Sequence, residues 1–204
     1  MLKNSDIKTQ LKIELENAIS EFKSSDIDVK LQIGYDKLMS FDFESYKVKL
    51  KEEIHRKLSS VWTNVENGIN PEQKLDAILL EHYIPNQLNL EAYAYGIIEW
   101  EERDVNDVDV DMGCSYDFAD GLEQDEGITL DFFNPYVEII NDESIDDYKL
   151  AHCYRLKGFI AIHEVFYELY KQNTFNKINM NDEFYILVGE HDSYCYAVLS
   201  NLEN

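Results

Sequence analysis

The sequence predicts an α+β fold: N-terminal helices and one long helix in the C-terminal half, packed on a mainly antiparallel sheet that ends in a β-hairpin. Three observations carry this. Apolar residues recur at helical spacing over 5–23 and 45–67, the stretch 148–171 is apolar beyond a single helical stripe, and two β-rich runs flank a turn near the C-terminus. With 204 residues, 45% of them hydrophobic, and 14 Tyr and 10 Phe, there is core material for one compact domain over 1–204, helix-rich in 1–85 and sheet-bearing and acidic in 86–204.

The first element places Ile7, Leu11, Leu15, Ala18, Ile19 and Phe22 on one helical face, with Ser5 or Asp6 as its N-cap. Residues 27–33 then alternate, Ile27, Val29, Leu31 and Ile33 against Asp28, Lys30 and Gln32, which predicts a strand closed by a turn at 34–37. A second helix follows from about Ser45 to Asn67: Tyr46, Leu50, Ile54, Leu58, Val61, Trp62 and Val65 form its stripe, Glu52–Arg56 and Glu53–Lys57 are spaced as i,i+4 ion pairs, and Asn67-Gly68 ends it. Asn70-Pro71 starts a shorter helix to about Tyr83, stopped before Pro85. Residues 88–100 are rich in β-formers, and Gly96 within them marks a bulge or a close backbone contact. Ile128–Leu130 and Tyr136–Ile140 read as strand pieces around Asn134-Pro135, Tyr148–Lys171 as the long helix, and Glu183–Val188 with Ser193–Ser200 as a hairpin about residues 189–192.

The formal net charge of −23 is unevenly spread. Residues 1–60 balance 11 acids with 11 bases, whereas residues 101–147 hold 17 acids against the single Arg103. Such a segment repels nucleic acid and anionic membranes over a Debye length of about 8 Å, and favours a basic partner. No apolar run approaches the ~18 residues of a membrane span and the N-terminus lacks a secretory signal, so a cytoplasmic location is expected. Cys114, Cys153 and Cys195 are far apart with no CxxC spacing, and read as reduced, buried thiols rather than a disulfide framework or a zinc site.

The most distinctive stretch runs from Asp104 to Met112. On an extended chain its alternation turns Asp107, Asp109 and Asp111 to one face, roughly 6.5–7 Å apart, and Val108, Val110 and Met112 to the other. That spacing approaches that of phosphates along a nucleic-acid strand, so the row is suited to the basic groove of a nuclease-type protein. The predicted contact set is Asp104, Asp107, Asp109, Asp111, Asp117, Asp120, Glu123, Asp125 and Glu126. The plain alternative is a solvated edge strand whose charge blocks sheet-to-sheet pairing. A calcium loop does not fit, because Met112 stands where glycine is required and Phe118 where a bidentate Glu is required.

Catalytic patterns are lacking. His163-Glu164 has Tyr167, not His, one turn on, and His152 lies about 16 Å away along the helix axis. Both histidines therefore read as core-edge or surface residues. There is no nucleophile elbow and no glycine-rich phosphate loop, and Cys153 or Cys195 with His191 is only a nominal combination. Phe132-Phe133 reads as core, while Tyr136, Tyr194 and Tyr196 are core or interface anchors. No catalytic residue, metal ligand or cofactor is assigned. The chain is read as a non-enzymatic acidic binding protein that masks a basic surface of a protein partner, such as a nuclease-type toxin or another nucleic-acid-binding protein. The alternatives are a divalent-metal-dependent hydrolase using clustered carboxylates, for instance Asp109 or Asp117 with Glu164, and a structural or assembly subunit of unknown role. In composition the chain is similar to the small acidic cytosolic proteins that neutralise bacterial toxins, which implies an immunity-protein or inhibitor role.

Overall fold

Helices α1 (Asn4–Ser24), α2 (Val29–Ser40) and α3 (Phe43–Ser60) precede strands β1 (Leu75–His82) and β2 (Glu91–Ile98). Three short strands follow, β3 (Asp109–Val110), β4 (Asp117–Phe118) and β5 (Asp125–Thr129), then helices α4 (Asn134–Ile140) and α5 (Tyr148–Lys171) and the hairpin β6 (Met180–Glu190) and β7 (Cys195–Ser200). The computed structural model describes all residues except 26, 85–89, 102, 114, 141–147, 192 and 203–204. The sheet order is β3-β7-β6-β1-β2-β4, with β5 also on β2. Every pairing is antiparallel except β1 with β6 at the centre. This is the predicted α+β class with its mainly antiparallel sheet and C-terminal hairpin.

The long helix α5 is apolar on several sides because neighbours surround it. Lys8 of α1 and Lys47 of α3 both pair with Glu164, at 3.2 and 3.1 Å. Tyr154 Oη donates to the Gly34 carbonyl of α2 at 2.7 Å, and Phe159 meets Tyr196 of β7 with ring centroids 5.5 Å apart. His163, predicted at the core edge or surface, is buried, with Nδ1 2.9 Å from the Val198 carbonyl. Phe132 and Phe133 are core, and Gly158 is required beside them: a Cβ there would lie 2.2 Å from the Phe132 ring. The buried apolar side chains form one contiguous cluster from Leu2 to Leu199. Cys153 and Cys195 are buried and unpaired, as predicted, and Cys114 lies outside the described residues. Among the described residues no helix is long and apolar enough to cross a membrane.

Several local expectations are corrected. Residues 27–33 are not a strand: Asp28 caps α2 by accepting from Lys30 N at 2.7 Å, and Leu31, Gly34, Tyr35 and Leu38 bury a helical stripe while Val29 and Ile33 face outward. The alternation was too short to outweigh the helical period of the longer segment. Residues 71–83 are not a helix but a turn followed by the central strand β1, which pairs with β2 and β6 and whose run Ala77–Leu80 is buried on both faces. A short, continuous apolar run has no period by which to tell the two apart. Pro85, the expected stop, lies outside the described residues.

Residues 136–140 form helix α4, with Pro135 in its first turn, where the missing N–H costs nothing. Neither Ser5 nor Asp6 caps α1; Lys3 precedes it without a side-chain cap, and Asn4 instead clasps the backbone of Ser200 through both side-chain atoms. Helix α3 stops at Ser60, and Asn67-Gly68 closes a separate 3₁₀ turn, Val65–Asn67, with Gly68 at φ 92°. The cations of the predicted intrahelical pairs turn across to β5: Lys57 meets Glu126 at 2.5 Å and Arg56 meets it at 3.7 Å, while Glu53 accepts from Thr129 N and Oγ1. The strand predicted at 88–100 is described from Glu91, residues 88–89 lying outside the described set. Gly96 marks the close contact, its Cβ position 3.0 Å from Ala119 Cβ.

The acidic edge as candidate functional site

Strand β3 forms one rim of the sheet and keeps the predicted alternation: Val108 and Val110 are 1% exposed, while Asp107, Asp109 and Asp111 are exposed. It is fastened from inside. Ala197 N donates to the Val108 carbonyl at 2.8 Å, Val108 N donates to Gln10 Oε1 at 3.0 Å, and Leu2 N donates to the Val105 carbonyl at 3.0 Å. Among the described residues no strand pairs with its outer side.

Among the described residues, the hydrogen bonds to the carboxylates on this rim come from neutral donors. Asn106 Nδ2 donates to Asp104, Val108 N to Asp107 at 2.7 Å, and Gly113 N to Asp111 at 3.0 Å. Among the described residues no lysine or arginine forms an ion pair with Asp104, Asp107, Asp109 or Asp111. Partial burial, and then the charges of Asp107 and Asp111, raise the pKa of Asp109 from its ordinary value. The row is close enough to repel itself.

The other five residues of the predicted contact set lie elsewhere. Asp117 is on β4, Asp125 and Glu126 are on β5, and Asp120 and Glu123 lie in the connection between those strands, all at the opposite rim beyond β2. The structure therefore does not bring the nine into one surface. Glu126 is also neutralised: its hydrogen bond and charge interaction with Lys57 pull its pKa down. Asp125 has its pKa raised by partial burial and then by Glu126.

Connections between the two rims create a cleft that the sequence did not reveal. From β2 the chain runs past β1 and β6, where Arg103 Nη1 donates to Asp76 Oδ1 at 2.6 Å and to the Glu183 carbonyl at 3.0 Å, and arrives at β3. It then returns to β4, held by Trp100 Nε1 on the Met112 carbonyl and Glu101 N on the Ser115 carbonyl, both at 3.1 Å. Between this return and the sheet face opposite α5 lies a cleft of about 510 Å³, lined among others by Leu79, Glu81, Asp111, Tyr116, Gly189 and Tyr194. Glu81 accepts from Tyr83 Oη at 3.2 Å, and its Oε1 is 3.2 Å from His191 Nδ1. Across the β6–β7 turn, a smaller cleft of about 260 Å³ is lined by Asp109, Tyr148, His152, Arg155, Glu190 and Tyr196. Arg155 and Glu190 are paired there, and burial followed by the Arg155 charge lowers the pKa of His152.

The nominal Cys–His combination receives no support, since burial pushes the thiols of Cys153 and Cys195 up to about 11 and about 12. Nor do acids converge as the hydrolase alternative requires. Asp109 and Asp117 sit on opposite rims, Glu164 is occupied by Lys8 and Lys47, and no group of three His, Cys, Asp or Glu among the described residues is arranged to hold a metal ion. The chain matches no protein-family model, no curated protein and no solved structure. Any functional reading rests on its own geometry.

Proposed function

We propose that this chain is a non-enzymatic binding protein whose acidic β3 rim docks on a basic surface of a protein partner, as an inhibitor of a nuclease-type toxin would. The observation that carries the reading is the exposed succession Asp104, Asp107, Asp109 and Asp111 running into and out of the edge strand β3, without ion-pair partners among the described residues, beside Val108 and Val110 locked in the core. Hydrogen bonds at Val105 and Val108 and the buried Val108 and Val110 tie this segment to the fold before a partner arrives, so association has less of it to order. Their mutual repulsion is relieved when lysines or arginines come between them, which gives a binding contribution that salt screens.

The test uses an oligolysine peptide as the probe, titrated into the full chain at two salt concentrations. Association is expected to weaken several-fold at the higher salt, and to fall by about tenfold or more when Asp107, Asp109 and Asp111 are all replaced by Asn. Affinity indifferent to both changes overturns the reading.

A further inference from the structure

The larger cleft beside this rim has the volume of a small-ligand site, about 510 Å³, and its lining carries charge of one sign. Glu81, Asp111 and Glu190 line it, with no lysine or arginine among the lining residues. Glu190 is answered from outside by Arg155 and Glu81 is shared with Tyr83 Oη and His191, which leaves Asp111 as the lining carboxylate without an ion-pair partner among the described residues, Glu81 adding charge beside it. Tyr116 and Tyr194 add aromatic surface, Tyr194 being 61% exposed, and Tyr116 is braced edge-on by Phe118 at 5.7 Å between centroids. Gly189 supplies a floor without a side chain, for a Cβ there would lie 2.7 Å from Cys195 Cβ. The smaller cleft has a different character, because Arg155 and His152 stand among its acids.

We propose that the larger cleft is a guanidinium pocket that takes one arginine side chain of the basic partner, an inference that rests on the acidic-rim reading. Carboxylates and tyrosine rings in one cavity suit a planar, weakly hydrated cation that hydrogen-bonds through a fork and lies against aromatic surface; a compact, strongly hydrated ammonium uses such walls less well. Asp111 belongs to both features. It ends the row on the rim and lines the cleft, so a segment laid along β3 reaches the cavity without leaving the acidic track.

The probe is N-acetyl-arginine amide, followed by chemical-shift changes in the full chain, with the neutral N-acetyl-citrulline amide and N-acetyl-lysine amide as controls. The arginine probe is expected to bind at the cleft, with both controls weaker. Tyr194→Ala should weaken it by about threefold to thirtyfold, whereas Asp107→Asn, on the rim but outside the cleft lining, should leave it within about twofold. Both positions are exposed, so the variants are expected to fold. An arginine probe that binds no better than citrulline or lysine, or that ignores Tyr194→Ala, overturns the pocket, and salt-sensitive oligolysine binding in the same protein would then leave the rim reading standing. If oligolysine fails to associate while the arginine probe binds in a Tyr194-dependent way, the rim reading falls and the cleft stands as a guanidinium site.

Discussion

The two rims of the sheet draw their acids from one stretch of sequence and hold them in opposite ways. At the β4–β5 rim, α3 and the turn after it reach across: Lys57 and Arg56 meet Glu126, Trp62 Nε1 donates to the Glu126 carbonyl at 2.9 Å, and Tyr46 Oη donates to the Thr129 carbonyl at 3.0 Å. Gly121, at φ 74°, backs directly onto Gly68. At the β3 rim the fastenings are backbone groups, Gln10 and two buried valines, and the exposed carboxylates have no lysine or arginine partner among the described residues. Acid density alone therefore does not tell whether charge is consumed by the fold. What decides it is whether a basic helix lies alongside.

Two glycines offer the sharpest way to break this contrast, because both have positive φ and only one is enclosed. A Cβ on Gly121 would lie 2.3 Å from the Gly68 carbonyl carbon, whereas at Gly113, φ 63°, it would meet nothing within 4 Å. Gly121→Ala is expected to cost about 2–4 kcal/mol by chemical denaturation, through strain plus collision with backbone. Gly113→Ala should cost only the left-handed penalty, about 1–2 kcal/mol. Equal losses would mean that the rims are fastened alike. A smaller effect is expected from the charges themselves. Glu126→Gln removes the carboxylate from Lys57, whose side chain is 6% exposed, but Glu126 itself is 67% exposed and screened by water, so the cost should be about 0.5–1 kcal/mol, while Asp107→Asn should stay within about 0.5 kcal/mol. If the denaturation midpoints of the two variants coincided, the distinction between consumed and available charge would fail.

Much of the scaffold was legible, and each misreading has its own cause. The helices at 4–24 and 148–171 and the closing hairpin show long, consistent periods that packing had no reason to override. Segment 29–40 failed because seven alternating residues hid a helical stripe resting on Gly34, whose lack of a side chain admits Ile139 and Leu150. Segment 75–82 failed because a central strand buried on both faces carries no alternation. For the site, the β3 row was readable since its charges and its buried valines are neighbours in sequence. The division of the remaining acids between two rims depends on strand order, to which local pattern is blind. The cleft gathers Glu81, Asp111, Tyr116, Gly189 and Tyr194 from three distant parts of the chain. Only the abrupt change from apolar run to Glu81-His82 hinted at it, and that signal reads equally as a strand end.

The smallest expected effect concerns pH, and its sign separates the rims. Asp109 has a raised folded-state pKa, so it holds its proton more tightly when folded; the stability it contributes is present below the ordinary carboxylate value and is lost as pH rises through the raised one. Glu126 has a lowered pKa, so its contribution is present above the ordinary value and is lost as pH falls through the lowered one. A larger background lies beneath both. Burial holds His82 down to about 3, so folding stability falls as pH drops from the ordinary histidine value toward that point, with a slope of up to about 1.4 kcal/mol per pH unit. Because parent and variants share His82, that slope cancels in differences. Asp109→Asn should thus gain on the parent as pH rises from about 3 to neutrality, by under about 1 kcal/mol since the group is largely hydrated, and Glu126→Gln should lose ground over the same range. Denaturation midpoints measured across that interval decide it: difference curves of the same sign would show that both rims sense neighbouring charge alike, and the acidic edge would no longer stand out as a surface awaiting a cation.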